Sequence, residues 1–121
     1  MQRDERFTKA ERLLKRREFR HVYDQGQRYH FPLFTIFVLK NAQETSRLGV
    51  TATKRIGTAV VRNRCKRLVK EVYRRNKWRL PVDLDLVVNV KHPMVEATYE
   101  EVESQFLTLI KKLGIDLQVG Q

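Results

Sequence analysis

Between Val61 and Val72 the apolar residues Val61, Cys65, Leu68, Val69 and Val72 recur at i, i+4, i+7, i+8 and i+11. That is the period of one buried face on an α-helix. The other side of the same helix is cationic. On a wheel of about 100° per residue, Arg62, Asn63, Lys66, Arg67, Lys70 and Arg74 fill an arc of about 140°, and Arg64 and Arg75 stand between that arc and the stripe. Residues 54–79 hold eleven Lys or Arg and one acid, Glu71. A helix over about 58–77 must therefore lay its stripe on a core supplied by the rest of the chain. Its charged face must point outward. Helices that merely face solvent mix both signs at i, i+4, and this one does not. The dense arc repels itself until a polyanion compensates it, and each neutralised phosphate releases counterions.

The rest of the chain reads as the partner of that helix. Residues 9–25 are expected as a helix, with Phe19, Val22 and Tyr23 on one face and Gly26 as the stop. Residues 28–40 are rich in aromatic and β-branched side chains and predict a strand with Pro32 near its start, and a further short strand is possible near 27–31. Residues 41–45 suit a hairpin loop, and 46–53 a returning strand. Pro81 closes the linker after the basic helix. Leu84 to Val90 is a short apolar run suited to a well-buried strand. Thr98 and Glu101 have the spacing of a capping box. The helix behind it carries Val102, Phe106, Leu109, Ile110 and Leu113 on one face and is expected to end at Gly114. The order helix, strand, strand, helix, strand, helix predicts an α+β fold, with a small sheet covered by helices. The chain of 121 residues suits one domain, with a core over about 7–113 and frayed ends.

Net charge sharpens the choice of partner. At +11, the chain is drawn to polyanions. A membrane is the weakest candidate. The longest apolar run, Phe31 to Leu39, is about half of what a spanning helix needs. A helix lying on a membrane needs bulkier anchors than Val, Cys and Leu. The first residues lead into no apolar signal segment. The lone cysteine, Cys65, excludes an internal disulfide and lies on the apolar stripe. These features point to the cytoplasm. His21, His30 and His92 are scattered, and no paired acidic cluster suggests a two-metal nuclease.

Residues 54–71, Lys-Arg-Ile-Gly-Thr-Ala-Val-Val-Arg-Asn-Arg-Cys-Lys-Arg-Leu-Val-Lys-Glu, resemble without a gap the signature of the bacterial ribonuclease P protein family. That signature reads K-[KR]-x-G-x-A-V-x-R-N-R-x-K-R-x-x-[RK]-E. Arg12-Leu13-Leu14 with Glu18-Phe19 and Val22-Tyr23, Arg47-x-Gly49, and Thr98-Tyr99-Glu100-Glu101 agree with the family's flanking elements. The resemblance implies a compact α/β sandwich with a small, mostly antiparallel sheet, similar to a ribosomal-protein domain. It also implies a left-handed βαβ crossover, where sequence pattern alone favours the right-handed one.

The resemblance further implies two RNA-facing surfaces. Lys54, Arg55, Arg62, Asn63, Arg64, Lys66, Arg67 and Lys70 carry over as contacts to a catalytic RNA. Phe19, Tyr23 and Phe37 carry over to a cleft for the single-stranded 5′ leader of precursor tRNA, with Arg16 and Arg20 beside it. Each position has a plainer reading: Asn63 as a cap of its own helix, Phe37 as core, the first helix's cations as solvated surface. Catalysis belongs in the family to the RNA and its Mg²⁺, so no catalytic residue, no tightly held metal and no obligatory protein partner are expected. Without residues 54–71 a structural RNA-binding protein would fit as well. A nuclease acting alone lacks its constellation of carboxylates or histidines.

Overall fold

The computed structural model describes residues 5–43 and 45–119. In chain order the elements are α1 (Arg16–Gln25), β1 (Gln27–His30), β2 (Phe34–Lys40), β3 (Arg47–Thr51), α2 (Ala59–Asn76), β4 (Leu84–Val90) and α3 (Tyr99–Val119), with short 3-10 turns at Lys9–Glu11, Lys54–Ile56, Lys77–Arg79 and His92–Glu96. The four strands form one sheet in the order β1-β2-β4-β3. β1 with β2 and β2 with β4 are antiparallel, and β3 with β4 is parallel. The fold is α+β with a mixed sheet, and β3, α2 and β4 form one crossover unit.

Alternation along the strands divides the side chains between two faces. Phe34, Ile36 and Val38, Leu48, and Leu84, Leu86, Val88 and Val90 meet α2 through Cys65, Val69, Val72 and Tyr73, and α3 through Val102, Phe106, Leu109 and Leu113. The opposite face receives α1. There Leu13, Val22 and Val87 are buried among Phe19, Tyr23, Phe37 and Leu39. β4 lies between β2 and β3 and is apolar towards both layers, which is why its run reads as nearly continuous.

The α2 expectation holds closely: the helix spans Ala59–Asn76, and the Thr58 hydroxyl accepts from the Val61 amide. The Thr98–Glu101 capping box is present in both directions. Other expectations are corrected. α1 begins at Arg16, because the preceding chain runs extended beside β3: Arg12 bridges Leu48, and the Leu13 amide donates to the Leu48 carbonyl. The strand expected over 28–40 is two strands, the short one allowed near 27–31 being β1, and the chain turns at Phe31-Pro32-Leu33 with the Phe31 amide donating to the Phe34 carbonyl. Residues 41–45 are no hairpin, since β4 takes the place between β2 and β3. α3 continues through Gly114 to Val119, and Gly114 does not adopt the left-handed conformation that a glycine stop requires. Of the expected frayed ends, residues 1–4, 120 and 121 lie outside the described residues; Phe7 is docked edge-on against Tyr73 at 5.6 Å.

One charged network fixes α1 on the sheet. Asp85 of β4, 3% exposed, accepts from Arg47 Nε at 2.8 Å and Nη2 at 2.6 Å, and from Asn41 Nδ2 at 2.8 Å. The remaining arm of Arg47 reaches Glu18 Oε2 at 3.1 Å. The other oxygen of Glu18 accepts the Leu14 and Lys15 amides and so caps α1. The Lys15 amide, with help from the Leu14 amide and the Arg47 guanidinium, holds the Glu18 carboxyl below its ordinary value of 4.5. Its folded-state pKa is thus depressed. Its contribution to stability is complete above about pH 4.5 and is lost as pH falls through the lower folded-state value. Two outcomes are expected. Denaturant melts of Arg47→Ala will show a loss of about 3–5 kcal/mol, because Asp85 is left buried without its counter-charge. Glu18→Gln will remove part of the acid-side decline in stability that the unmodified protein shows below pH 4.5.

Candidate RNA interface

The cationic face of α2 follows from its wheel. Asn63, Arg64, Arg67 and Lys70 are exposed, and Arg62 and Lys66 are partly so. Lys54 and Arg55 are exposed on the 3-10 turn just before it. Gly57, at φ 150°, makes the bend from that turn into α2, a conformation that L side chains rarely adopt. Among the described residues none of Lys54, Arg55, Arg62, Lys66, Arg67 and Lys70 has an acidic partner. The Asn63 side chain makes no hydrogen bond there and does not cap its own helix turn.

The remaining arginines of this helix also make contacts within the fold. Arg64 donates to the Val95 carbonyl. Arg74 pairs with Glu71 at 2.5 Å and donates to the Glu5 carbonyl, and Arg75 pairs with Glu71 at 3.1 Å. Arg74, placed in the cationic arc by its wheel angle, is therefore neutralised, because Glu71 stands three residues before it. The arc that remains free runs from Arg62 to Lys70.

Around the edge strand β3, a hollow of about 260 Å³ brings Lys66 and Lys70 together with Arg12, Phe19 and Gly49. Burial pushes the Lys70 ammonium down from its ordinary value, and the Arg12 and Lys66 charges push it further. Three like charges thus lie close together, the electrostatic setting of an anion site. Arg12 lies in the extended segment beside β3, where no periodicity signals it.

The second surface is the part of the sheet that α1 leaves open. Phe19 lies over Gly49, where a Cβ would stand 2.5 Å from the ring, so glycine is required for this close approach. Tyr23 meets Phe37 edge to face, with centroids 4.8 Å apart and planes at 85°. Both rings are half-buried, neither sealed core nor free surface. Strand pairing then sets a polar row across the sheet beside them, His30, Thr35, Asn89 and Thr51, on the same face as Phe37. Arg28 pairs with Phe37 in register and shares that face. The structure thus brings Phe19, Tyr23 and Phe37 to one cleft. Arg16 and Arg20 are exposed and line a shallow hollow along α1 with Arg17, His21 and Asp24. The sequence reading missed Arg28, Thr51 and Asn89. Asn89 was findable as the polar residue in step with Val87 in an apolar strand; the other two needed the register.

Comparison with known proteins identifies the family. The family model "Ribonuclease P" matches residues 7–114. The ribonuclease P protein component of Clostridium botulinum strain 657 is 40% identical over 108 residues, covering 88% of this chain and 97% of the relative. That of Alkaliphilus metalliredigens is 39% identical over 104 residues, covering 86% and 94%. Among solved structures, the RNase P protein from Thermotoga maritima superposes with a TM-score of 0.76 at 32% identity, over 84% of this chain and 96% of that one. The Staphylococcus aureus RNase P protein gives 0.76 at 26% identity, over 85% and 94%.

If the free arc of α2 faces RNA, replacing Arg62 and Arg67 together by Ala removes two phosphate contacts. The slope of log K against log salt for binding the catalytic RNA should then flatten by about 1.4–1.8. Titrations at several salt concentrations, with melting as the fold control, measure it; an unchanged slope would place both residues away from RNA.

Proposed function

The chain belongs to the ribonuclease P protein family and is the protein component of that endoribonuclease ribonucleoprotein, partnered with its RNA, and from this we propose a division of labour between its two surfaces. The arc of Lys54, Arg55, Arg62, Asn63, Arg64, Lys66, Arg67 and Lys70 holds the catalytic RNA. Arginine forks engage pairs of phosphate oxygens, and lysines act as point charges. The cleft of Phe19, Tyr23 and Phe37 takes the single-stranded 5′ leader of precursor tRNA, with Arg16 and Arg20 at its margin. Aromatic faces stack on unpaired bases whatever their sequence, at about 1–3 kcal/mol per base.

The observation that carries this reading is the pairing of an uncompensated cationic helix with a half-open aromatic cleft in one small chain. The free arc suits a folded RNA, rich in phosphates, while the cleft suits a flexible strand with splayed bases. Among the described residues no group of three or more His, Cys, Asp or Glu side chains is arranged to hold a metal ion. As the family relationship implies, the proposal places Mg²⁺ and phosphodiester hydrolysis on the RNA. The protein supplies affinity, screening between two polyanions, and choice of substrate. No described helix is long and apolar enough to cross a membrane. We place the assembly in the cytoplasm, with no obligatory second protein.

A mature tRNA has no leader and cannot use the cleft. Tyr23→Leu keeps most of the apolar packing and removes the aromatic face. With the catalytic RNA bound, the preference for precursor over mature tRNA is expected to shrink about tenfold, the equivalent of ~1–2 kcal/mol of stacking. Affinity for the catalytic RNA should change little. The measurement is the affinity of both tRNA forms for unmodified and variant holoenzyme. Full discrimination by a normally melting variant would remove Tyr23 from the leader site.

A further inference from the structure

Asn89 joins the aromatic cleft to the polar row. Its Oδ1 accepts the Tyr23 hydroxyl at 2.8 Å from α1 and the Thr51 hydroxyl at 2.7 Å from β3. Both lengths are typical of a hydroxyl donating to oxygen and short for an amide N–H. A carboxamide oxygen has two lone pairs, and here both are engaged. The amide is thereby held in one orientation. Its Nδ2 keeps two N–H donors, and among the described residues no acceptor takes them. Asn89 is only half-buried, and its Nδ2 is not enclosed without a partner. The donors open onto the sheet face beside the Tyr23–Phe37 pair.

We infer that Asn89 is a specificity-determining residue, a donor-only amide that reads the base stacked on Tyr23 and Phe37; this rests on the reading that the leader lies in the cleft. An unconstrained asparagine recognises adenine with two bonds, donating to N7 and accepting from the exocyclic amino group. Asn89 lacks the second capacity, because Tyr23 and Thr51 occupy its oxygen. It is matched to edges that only accept: O6 and N7 of guanine, or a carbonyl oxygen of uracil. The amino groups of adenine and cytosine find no acceptor there. At the leader position over the two rings, guanine and uracil are favoured over adenine and cytosine.

The test gives the holoenzyme, reconstituted with its catalytic RNA, a precursor tRNA with a randomised 5′ leader, and sequences the unreacted pool. One leader position should show guanine and uracil consumed about tenfold faster than adenine and cytosine, in the range of single-base discrimination. Asn89→Asp keeps the size and the oxygen for both hydroxyls but replaces the two donors by an acceptor. Its base order at that position should invert while the other positions stay unchanged. Tyr23→Phe keeps the ring and frees one lone pair of Oδ1, so adenine should rise towards guanine. An unmodified holoenzyme with no preference at any leader position would overturn the inference. So would a folded Asn89→Asp with the same base order as the unmodified protein. Should Asn89→Asp not fold, an unchanged ratio of adenine to guanine in Tyr23→Phe overturns it alone. Tyr23→Leu separates the two levels: if it lowers precursor affinity while the base order ignores Asn89, only the inference fails. If it leaves affinity unchanged, the leader reading fails with it.

Discussion

The bidentate pair between Arg47 and Asp85 is the interaction on which the rest of this structure depends. Asp85 lies on the central strand, shielded from water, and its carboxylate is satisfied only because Arg47 and Asn41 converge on it. Arg47 is in turn fixed by Glu18, which caps α1. One chain of contacts thus runs from the central strand through the edge strand to the start of a helix. Burying such charges carries a desolvation cost that their attraction largely offsets, so the net gain in stability is small. What the network supplies is position. It sets where α1 crosses the sheet, and so where Phe19 meets Gly49 and where Tyr23 meets Phe37.

That position explains why the aromatic cleft exists at all. Val22 is fully buried against the sheet, while Phe19 and Tyr23 on either side of it stay half open. α1 covers the rows of Arg47 and Gly49 and leaves the row of Thr51, Asn89, Thr35 and His30 uncovered. A longer helix starting near residue 9 would not have Arg12 beside β3. The extended segment before α1 therefore brings a cation to the hollow where α2 presents Lys66 and Lys70.

The cations of the second half of the chain are divided by what lies next to them. Glu71 takes up Arg74 and Arg75, and the Val95 carbonyl holds one arm of Arg64. Among the described residues Lys54, Arg55, Arg62, Lys66, Arg67 and Lys70 have no acidic partner, and burial together with the Arg12 and Lys66 charges depresses the Lys70 pKa. Folding places these charges on one side at an energetic cost, which a bound polyanion relieves.

Much of what depends on spacing along a single element was legible in the sequence. The stripe and arc of α2, its start at Thr58, the buried strand Leu84–Val90 and the capping box of α3 follow from side-chain period and local hydrogen bonding, which neighbouring residues determine. The signature at 54–71 located the cationic surface, and the positions of Phe19, Tyr23 and Phe37 located the aromatic one. Only the tertiary structure decided that β4 separates β2 from β3, that α1 starts late, and that Asn89 meets Tyr23 and Thr51. These are outcomes of burial and polar pairing between residues as far apart as Tyr23 and Asn89, 66 positions along the chain. Local periodicity reports which face of an element is apolar. Which other element covers that face is chosen by competition across the whole chain.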